Sequence, residues 1–196
     1  MLDVTLETFL TLDGVYQAPG GAEEDTEGGF SHGGWQGPMF DQDAGKIMGE
    51  RMKQTKAMLM GRKTYDIFAA YWPNAKEEVE MSKFFNGLPK YVASRSMKKA
   101  DWQGTTVIGA NLTQEIAKAK QQGGTGVIYI PGSGNLAQSL MKQNLIDEYR
   151  LWIHPIMLGS GKRLFADGVI PTNLKLIDTK TTGSGIVLLT YRPKAK

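Results

Sequence analysis

Two hydrophobic patterns alternate along the chain: short β-branched runs, and stretches with apolar residues at helical spacing. The run 2–12 mixes apolar residues with threonines and acids and predicts a first strand, which Asp13 and Gly14 end. Runs of the same kind predict strands at 57–60, 90–93, 105–108, 127–130, 146–153, 174–181 and 186–191. Helical spacing predicts a helix that Asp41 or Asp43 caps and that runs through Thr55, a second that stops before Pro73, a third over 112–120 and a fourth from Asn135.

The order of these elements predicts the fold class. Strands separated by helices up to Leu140, followed by strands alone, indicate an α/β fold. Its mixed sheet is expected to have a parallel centre and an antiparallel C-terminal hairpin. The 196 residues, of which 41% are hydrophobic and 22% charged, suit one globular domain. We therefore expect a single domain over 1–196.

The stretch 126–141 joins a strand, a glycine turn and a helix without a gap. The glycines let an anion approach the backbone, and the first N–H groups of the helix point at it. Gly132, Gly134 and Ala137 also match the dinucleotide fingerprint G-x-G-x-x-A. This pattern indicates a pyrophosphate site, and a plain connection between strand and helix is the alternative.

Residues 15–39 form a long glycine-rich segment without helix or strand periodicity. Loops of this length in a compact domain are usually functional or disordered. The aromatic residues Phe30 and Trp35 favour a loop that folds over a site, where Trp35 could shield a bound ligand from water. The acids of this segment are expected on the solvent side, because carboxylates facing a phosphate would oppose its binding.

Charge is divided unevenly along the chain. Residues 1–50 carry ten acids and one base, whereas 51–196 carry twenty-two bases and ten acids. The bases stand singly and are not interleaved with aromatic residues, so a nucleic-acid partner is not expected. A solvated surface with one anionic ligand is the simpler interpretation.

Cysteine is absent, and the histidines are His32 and His154. Disulfides and cysteine-ligated metals are therefore excluded, and the sequence assigns no residue to a metal. The first residues have neither a basic start nor an uninterrupted apolar segment, so we expect a cytoplasmic protein without a membrane partner.

Several stretches coincide in order and spacing with a known family. AMLMGRKTYDIF at 57–68 resembles the strand, Gly-Arg-x-Thr turn and helix of dihydrofolate reductases. LPKYVASRS at 88–96 is similar to their next strand, and IYIPGSGNLAQSLM at 128–141 to their glycine turn. TLDGV at 11–15 and HPIMLGSGKRLF at 154–165 resemble the reductase domain of riboflavin biosynthesis, the RibD C-terminal domain, and its small relatives. The resemblance implies a three-layer fold like that of dihydrofolate reductase.

The same resemblance implies a homodimeric reductase that passes hydride from NADPH to a small heterocycle related to pterin, pyrimidine or flavin, or to a related imine or carbonyl. The residues that it assigns to the cofactor are Gly61, Arg62, Thr64, Ser94, Arg95, Gly132, Ser133, Gly134, Asn135 and Leu136. It places Thr11, Asp13 and Gly14 near the nicotinamide and the substrate.

Arg62, Arg95 and Ser94 suggest a preference for NADPH over NADH. Two guanidinium groups and a hydroxyl suit the oxygens of a 2′-phosphate. No acid follows Gly134 at the distance expected for binding the ribose of NADH. Exposed surface charge is the alternative interpretation for both arginines, as it is for Lys162 and the neighbouring Arg163, which otherwise suit a phosphorylated substrate.

The substrate carboxylate of dihydrofolate reductases has no secure counterpart. Counted back from Gly61, Asp43 lies about two residues too far away and Asp41 about four, and both also suit helix capping. Reduction of dihydrofolate itself is therefore in question. The alternative function is binding of NADPH or another flat ligand without turnover.

Hydride transfer to a ring imine requires a proton for the nitrogen, from an acid or from a water that an acid holds. Asp13 is the first candidate and Asp43 the second, and an Asp-Gly turn is the alternative role for Asp13.

The homodimer prediction also rests on the placement of apolar residues. Methionines at 48, 52, 58 and 60 suggest adaptable surface, and Trp152 suggests a strand near the sheet edge. A methionine-filled core is the alternative.

Overall fold

Eight strands form one sheet in the part of the chain that the computed structural model describes, residues 1–109, 111–122, 124–165, 167 and 169–194. The strands are β1 (Asp3–Thr11), β2 (Thr55–Gly61), β3 (Lys90–Ala93), β4 (Thr105–Ile108), β5 (Val127–Pro131), β6 (Glu148–His154), β7 (Leu174–Thr181) and β8 (Val187–Pro193). Their spatial order is β4-β3-β2-β5-β1-β6-β8-β7. All pairs from β4 to β6 are parallel, and β8 pairs antiparallel with both β6 and β7. The predicted mixed sheet with a parallel centre and an antiparallel hairpin is confirmed.

Helices connect the parallel strands. They are α1 (Gln42–Gln54), α2 (Arg62–Tyr71), α3 (Val79–Gly87), α4 (Leu112–Gln121) and α5 (Gly134–Lys142). The sequence predicted all of these except α3, whose periodicity is weak because Phe85 is its only buried residue. Within the described ranges, no helix is both long and apolar enough to cross a membrane.

The helices cover both faces of the sheet. On one face, β1 and β5 pack an aliphatic core against α4 and α5. On the other face, β2 packs methionines and aromatic side chains against α2 and α3. This is the three-layer arrangement that the resemblance implied.

The positions of three residues correct the argument for a homodimer. Met58 and Met60 are fully buried, so they fill the core and supply no contact surface. Trp152 is also buried, and its strand β6 is third from the end of the sheet and not at the edge. The edge strand on that side of the sheet is β7, where Leu176 and Ile177 are 47% and 48% exposed, and β4 is the edge strand on the other side. The dimer stays a prediction, and β7 is a candidate surface for it.

The parallel strands bring the predicted site residues to one edge of the sheet. Gly61 at the end of β2 pairs in register with Ala93 at the end of β3. Glu7 of β1 pairs with Pro131 at the end of β5. The order of the strands reverses between β2 and β1. In open α/β sheets, ligands bind at the carboxyl ends of the strands beside such a reversal, which is where these residues lie.

Candidate functional site

The glycine turn lies between β1 and β2. Gly132 and Ser133 have left-handed backbone conformations, with φ of 56° and 49°, and α5 begins at Gly134. The Gly132 N–H donates to the carbonyl of Glu7 over 3.0 Å, and the Ser133 hydroxyl accepts from the Gly61 N–H over 3.2 Å. These bonds fix the start of α5 against both neighbouring strands, at the carboxyl edge of the sheet.

Two exposed arginines lie at the ends of β2 and β3. Arg62 begins α2, and its Nε donates to both carboxylate oxygens of Asp66 over 2.8 Å while its side chain stays 48% exposed. Arg95 is exposed two residues after the end of β3, and the hydroxyl of the intervening Ser94 accepts from the Met97 N–H over 3.0 Å. An open cleft of about 760 Å³ adjoins Arg62 and Met97. Both guanidinium groups are therefore accessible to a ligand.

The remaining residues assigned to the cofactor differ in exposure. Asn135 is exposed on the first turn of α5, Thr64 is half-buried in α2, and Leu136 is buried. A Cβ at Gly61 would lie 3.5 Å from the Cβ of Leu136, so the end of β2 touches α5. Leu136 thus holds the helix in place and offers a ligand only its backbone.

Tyr16 covers the start of α5, a contact that the sequence did not predict. A Cβ at Gly134 would lie 2.1 Å from Cζ of Tyr16, so only glycine fits beneath this ring. Burial raises the pKa of the Tyr16 hydroxyl, and the nearby carboxylate of Asp25 raises it further. The ring therefore occupies space that an anion approaching the helix would need.

Residues 15–39 are folded around a small apolar cluster of their own. Its buried members are Val15, Ala18, Phe30 and Trp35. The Trp35 indole donates to the carbonyl of Gln17 over 2.8 Å, and its ring lies 5.1 Å from that of His154. In this conformation Trp35 stabilises the loop, and Tyr16 is the aromatic residue that covers the glycine turn.

Four charged side chains next to Tyr16 form what we call the loop cluster, namely Asp25, Glu27, Lys63 and Lys162. Nζ of Lys63 donates to Asp25 over 2.7 Å and to Glu27 over 2.8 Å. Nζ of Lys162 donates to the other oxygen of Asp25 over 2.7 Å and to the same oxygen of Glu27 over 2.5 Å. The Asp25 side chain is only 11% exposed. The expectation that these acids stay on the solvent side is wrong for Asp25, because two lysines from other segments bind it.

Asp13 holds the turn that follows β1. Its carboxylate accepts from the Thr11 hydroxyl over 2.6 Å and from the N–H groups of Leu158 and Gly159 over 3.2 and 2.9 Å. The Thr11 hydrogen bond, assisted by the two N–H groups and opposed by burial, lowers the pKa of Asp13 to about 2. Gly14 follows with a φ of 82°, which favours glycine. Asp13 is therefore ionised at neutral pH, and its proton-donor role stays a prediction.

Asp41 is the N-cap of α1, which confirms the capping interpretation. One of its oxygens accepts from the Ala44 N–H over 2.8 Å, and the other accepts from the Ser184 N–H over 2.8 Å. Asp43 is 56% exposed and 3.9 Å from Lys46. Asp41 thus ties α1 to the turn between β7 and β8, and its contact with substrate stays a prediction. No group of three or more carboxylate and imidazole side chains in the described residues is placed to hold a metal ion.

Glu7 is a buried acid that the sequence reasoning missed. Its carboxylate accepts from Arg51 of α1 over 2.8 Å and from the Trp152 indole over 2.7 Å, and a guanidinium nitrogen of Arg150 lies 3.7 Å away. Arg150 also donates to Glu148 over 2.6 Å. We call Glu7, Arg51, Glu148 and Arg150 the sheet cluster. The signal that could have found it in the sequence is the presence of an acid in the middle of the first predicted strand.

The chain matches the family model described as the RibD C-terminal domain over residues 3–188. It is 32% identical over 191 residues to the protein YyaP of Bacillus subtilis (strain 168), a match that covers 96% of this chain and 93% of YyaP. It is 28% identical over 131 residues to YwjB of the same bacterium, covering 67% of this chain and 70% of YwjB.

Solved structures share the fold at low sequence identity. A putative riboflavin biosynthesis protein from Shewanella sp. PV-4 superposes with a TM-score of 0.69 at 22% identity, covering all of both chains. Dihydrofolate reductase from Enterococcus faecalis, solved in complex with NADP(H), superposes with a TM-score of 0.61 at 14% identity, covering 98% of this chain and 97% of that one.

Proposed function

Since the chain belongs to the RibD C-terminal domain family, we propose that it is an NADPH-dependent reductase of a small pterin-, pyrimidine- or flavin-like heterocycle. The observation that carries the proposal is the glycine turn at the carboxyl edge of the sheet. It lies beside the end of β2, where Arg62 begins α2. A helix start with accessible guanidinium groups nearby suits a dinucleotide with three phosphates.

The residues at this edge fit NADPH, with one adjustment. Gly132 and the start of α5 would bind the pyrophosphate, and Arg62, Ser94 and Arg95 the 2′-phosphate. Bound in this way, NADPH would supply the hydride. Tyr16 must leave Gly134 for the pyrophosphate to reach the helix, because its ring lies against that glycine.

The substrate end of the proposed site lies after β1, at Thr11, Asp13 and Gly14. The pKa of Asp13 is about 2, so its carboxylate carries no proton at neutral pH. Within this proposal Asp13 therefore orients a water that delivers the proton to the reduced substrate. Asp43, which is exposed, is the second candidate for this role.

NADPH binding and oxidation test the proposal directly. Titration of NADPH fluorescence measures binding, and a screen of NADPH oxidation over pterins, flavins, pyrimidines and small carbonyls measures turnover. Binding with oxidation by a member of these classes supports the reductase. Failure to bind NADPH contradicts it.

The alternative is a protein of the same fold that binds NADPH or another flat ligand without turnover. It is favoured by the engagement of Asp41, whose two oxygens cap α1 and hold Ser184. NADPH binding without oxidation of any compound in the screen would support this alternative.

Replacement of either arginine tests the cofactor preference. A charge-assisted contact is worth roughly 1.5–3 kcal/mol, so Arg62→Ala or Arg95→Ala should weaken NADPH binding about ten- to a hundredfold. NADH binding should stay nearly unchanged, because NADH lacks the 2′-phosphate. Lys98→Ala is the matched control, since it removes an exposed positive charge from the same segment. Equal losses for both cofactors would instead assign the arginines to the shared pyrophosphate.

The proposal also includes a cytoplasmic single-domain protein that forms a homodimer. Strand β7 supports the dimer, since its exposed edge carries the half-exposed side chains of Leu176 and Ile177. Sedimentation of a 21.5 kDa species at micromolar concentration would contradict it.

A further inference from the structure

The loop cluster joins three segments that are distant in the sequence. Lys63 is the second residue of α2, Lys162 follows the glycines at 159–161, and Asp25 and Glu27 belong to the loop 15–39. Both lysines donate to the same oxygen of Glu27, over 2.8 and 2.5 Å. The two ammonium groups therefore lie close enough to bind one small anion together.

The cluster lies next to the glycine turn. The hydroxyl of Tyr16 is within electrostatic reach of Asp25, Lys63 and Glu27, while its ring rests on Gly134. The segment that carries Tyr16 is also tied to the cluster. The Gln17 side chain donates to the carbonyls of Asp25 and Glu27 over 3.0 and 2.9 Å, and it accepts from the Lys162 N–H over 3.0 Å.

A ligand can reach the two lysines. The Lys63 side chain is 54% exposed and the Lys162 side chain 27% exposed. A cleft of about 410 Å³ opens beside Glu27 and Lys162. Lysine ammonium groups sit on flexible stems and bind anions as point charges, so they can exchange a carboxylate for a phosphoryl oxygen with little rearrangement.

We propose that Lys63 and Lys162 form a phosphoryl-binding pair which Asp25 and Glu27 occupy as an internal anion until a ligand displaces them. Displacement frees the segment that holds Tyr16 over Gly134, so binding of the phosphoryl group opens the start of α5. The inference rests on the proposed function in that the cofactor pyrophosphate is the natural occupant. A phosphorylated substrate carries the same chemistry.

Inorganic pyrophosphate is the probe, with binding measured by isothermal titration calorimetry. Asp25→Asn keeps the size of the side chain and removes its charge, so pyrophosphate should bind about tenfold more tightly than to the unmodified protein. Glu23→Gln is the matched control, because it removes one charge from an exposed position of the same loop. It should change affinity less than about twofold. Equal affinity in Asp25→Asn and in the unmodified protein would overturn the proposal.

A second pair of variants tests the same proposal at other positions, so the result does not depend on whether Asp25→Asn folds normally. Glu27→Gln alters a side chain that is 65% exposed, and it should also tighten pyrophosphate binding. Lys162→Gln should abolish most of that binding. Limited proteolysis should show faster cleavage within 20–34 when pyrophosphate is added to the unmodified protein. Unchanged cleavage would contradict release of the loop.

NADPH and ribose 5-phosphate separate this inference from the proposed function. If Asp25→Asn tightens pyrophosphate and NADPH alike, both proposals are supported. Tighter pyrophosphate with no NADPH binding supports the lysine pair and overturns the NADPH reductase. If NADPH and ribose 5-phosphate each bind the unmodified protein and Asp25→Asn equally, the internal anion alone is overturned. Ribose 5-phosphate that gains affinity while NADPH does not would assign the pair to a phosphorylated substrate.

Discussion

The sheet cluster and the loop cluster each contain two acids and two bases, but they differ in burial and in the elements that carry them. In the sheet cluster, the side chains of Arg51 and Arg150 are 11% and 9% exposed, and they come from α1 and β6. In the loop cluster, Lys63 and Lys162 are 54% and 27% exposed, and their acids come from a glycine-rich loop. The sheet cluster is built from strands β1 and β6 and helix α1, whereas the loop cluster joins the start of α2 to two loops at the carboxyl ends of the strands.

The choice of cation explains the difference. The planar guanidinium of Arg51 donates to Glu7 and also to Thr190, so its geometry is fixed by two partners. An ammonium group has no planar fork, so although each lysine also donates to two carboxylates, its flexible stem leaves the geometry less fixed. The sheet cluster is therefore the more rigidly held of the two, and the loop cluster is the one that we propose a ligand can disrupt.

Removal of the central acid of the sheet cluster should have the largest effect on stability. Glu7→Gln leaves the buried Arg51 without its charge partner and takes one of two carboxylates from Arg150, which keeps Glu148, so the free energy of unfolding should fall by about 3–5 kcal/mol. Urea denaturation measures the change. Glu115→Gln is the control, since it breaks an ion pair with Lys118 on the surface of α4 and should cost less than about 1 kcal/mol. A loss below about 1 kcal/mol for Glu7→Gln would remove the distinction between the clusters.

The fold was largely predictable because its signals are local. The observed bounds of β3 and β4, residues 90–93 and 105–108, are the predicted ones, since each is a short apolar run between turn residues. The order of strands is not local, and nothing in the sequence of β5 indicates that it pairs between β1 and β2. The helix α3 was missed because its apolar periodicity is weak, with Phe85 as its single buried residue.

The site was predictable only as far as it follows strand ends. Arg62 and Gly132 come directly after β2 and β5, so their position at the carboxyl edge follows from parallel strands. The loop cluster instead depends on contacts over large separations, 38 residues for Lys63 with Asp25 and 137 for Lys162 with Asp25. No sequence pattern encodes such pairs. The packing of Tyr16 on Gly134 is long-range in the same way.

The burial of Asp13 is intermediate between that of the two clusters, so its replacement should have an intermediate effect on stability. Its side chain is 18% exposed, and backbone N–H groups and the Thr11 hydroxyl bind it. Asp13→Asn should lower the free energy of unfolding by about 1–2 kcal/mol near neutral pH, because hydrogen bonds to a charged acceptor are lost.

The pH dependence gives Asp13→Asn a second readout. The folded pKa of Asp13, about 2, lies below the ordinary value of 3.8, so its stabilisation is present above about pH 4 and is lost as the pH falls through about 2. Urea denaturation at about pH 6 and about pH 3 should therefore show a smaller acid loss for Asp13→Asn than for the unmodified protein. Identical losses would mean that Asp13 is not held as an ionised carboxylate.

The smallest effect is expected for Asp25→Asn, which breaks the loop cluster without disturbing the sheet. Burial opposes ionisation of Asp25, but the hydrogen bonds from Lys162 and Lys63 outweigh it and lower its pKa. Both lysines are partly solvated, so loss of this charge should reduce the free energy of unfolding by on the order of 1 kcal/mol or less. Raising the salt concentration to about 1 M should further shrink the difference in free energy of unfolding between Asp25→Asn and the unmodified protein, because screening then acts within about 3 Å.

Urea denaturation at low and high salt measures both effects, with Glu23→Gln as the control. A loss as large as that of Glu7→Gln, unaffected by salt, would show that the loop cluster is as structural as the sheet cluster and would leave no room for a competing ligand.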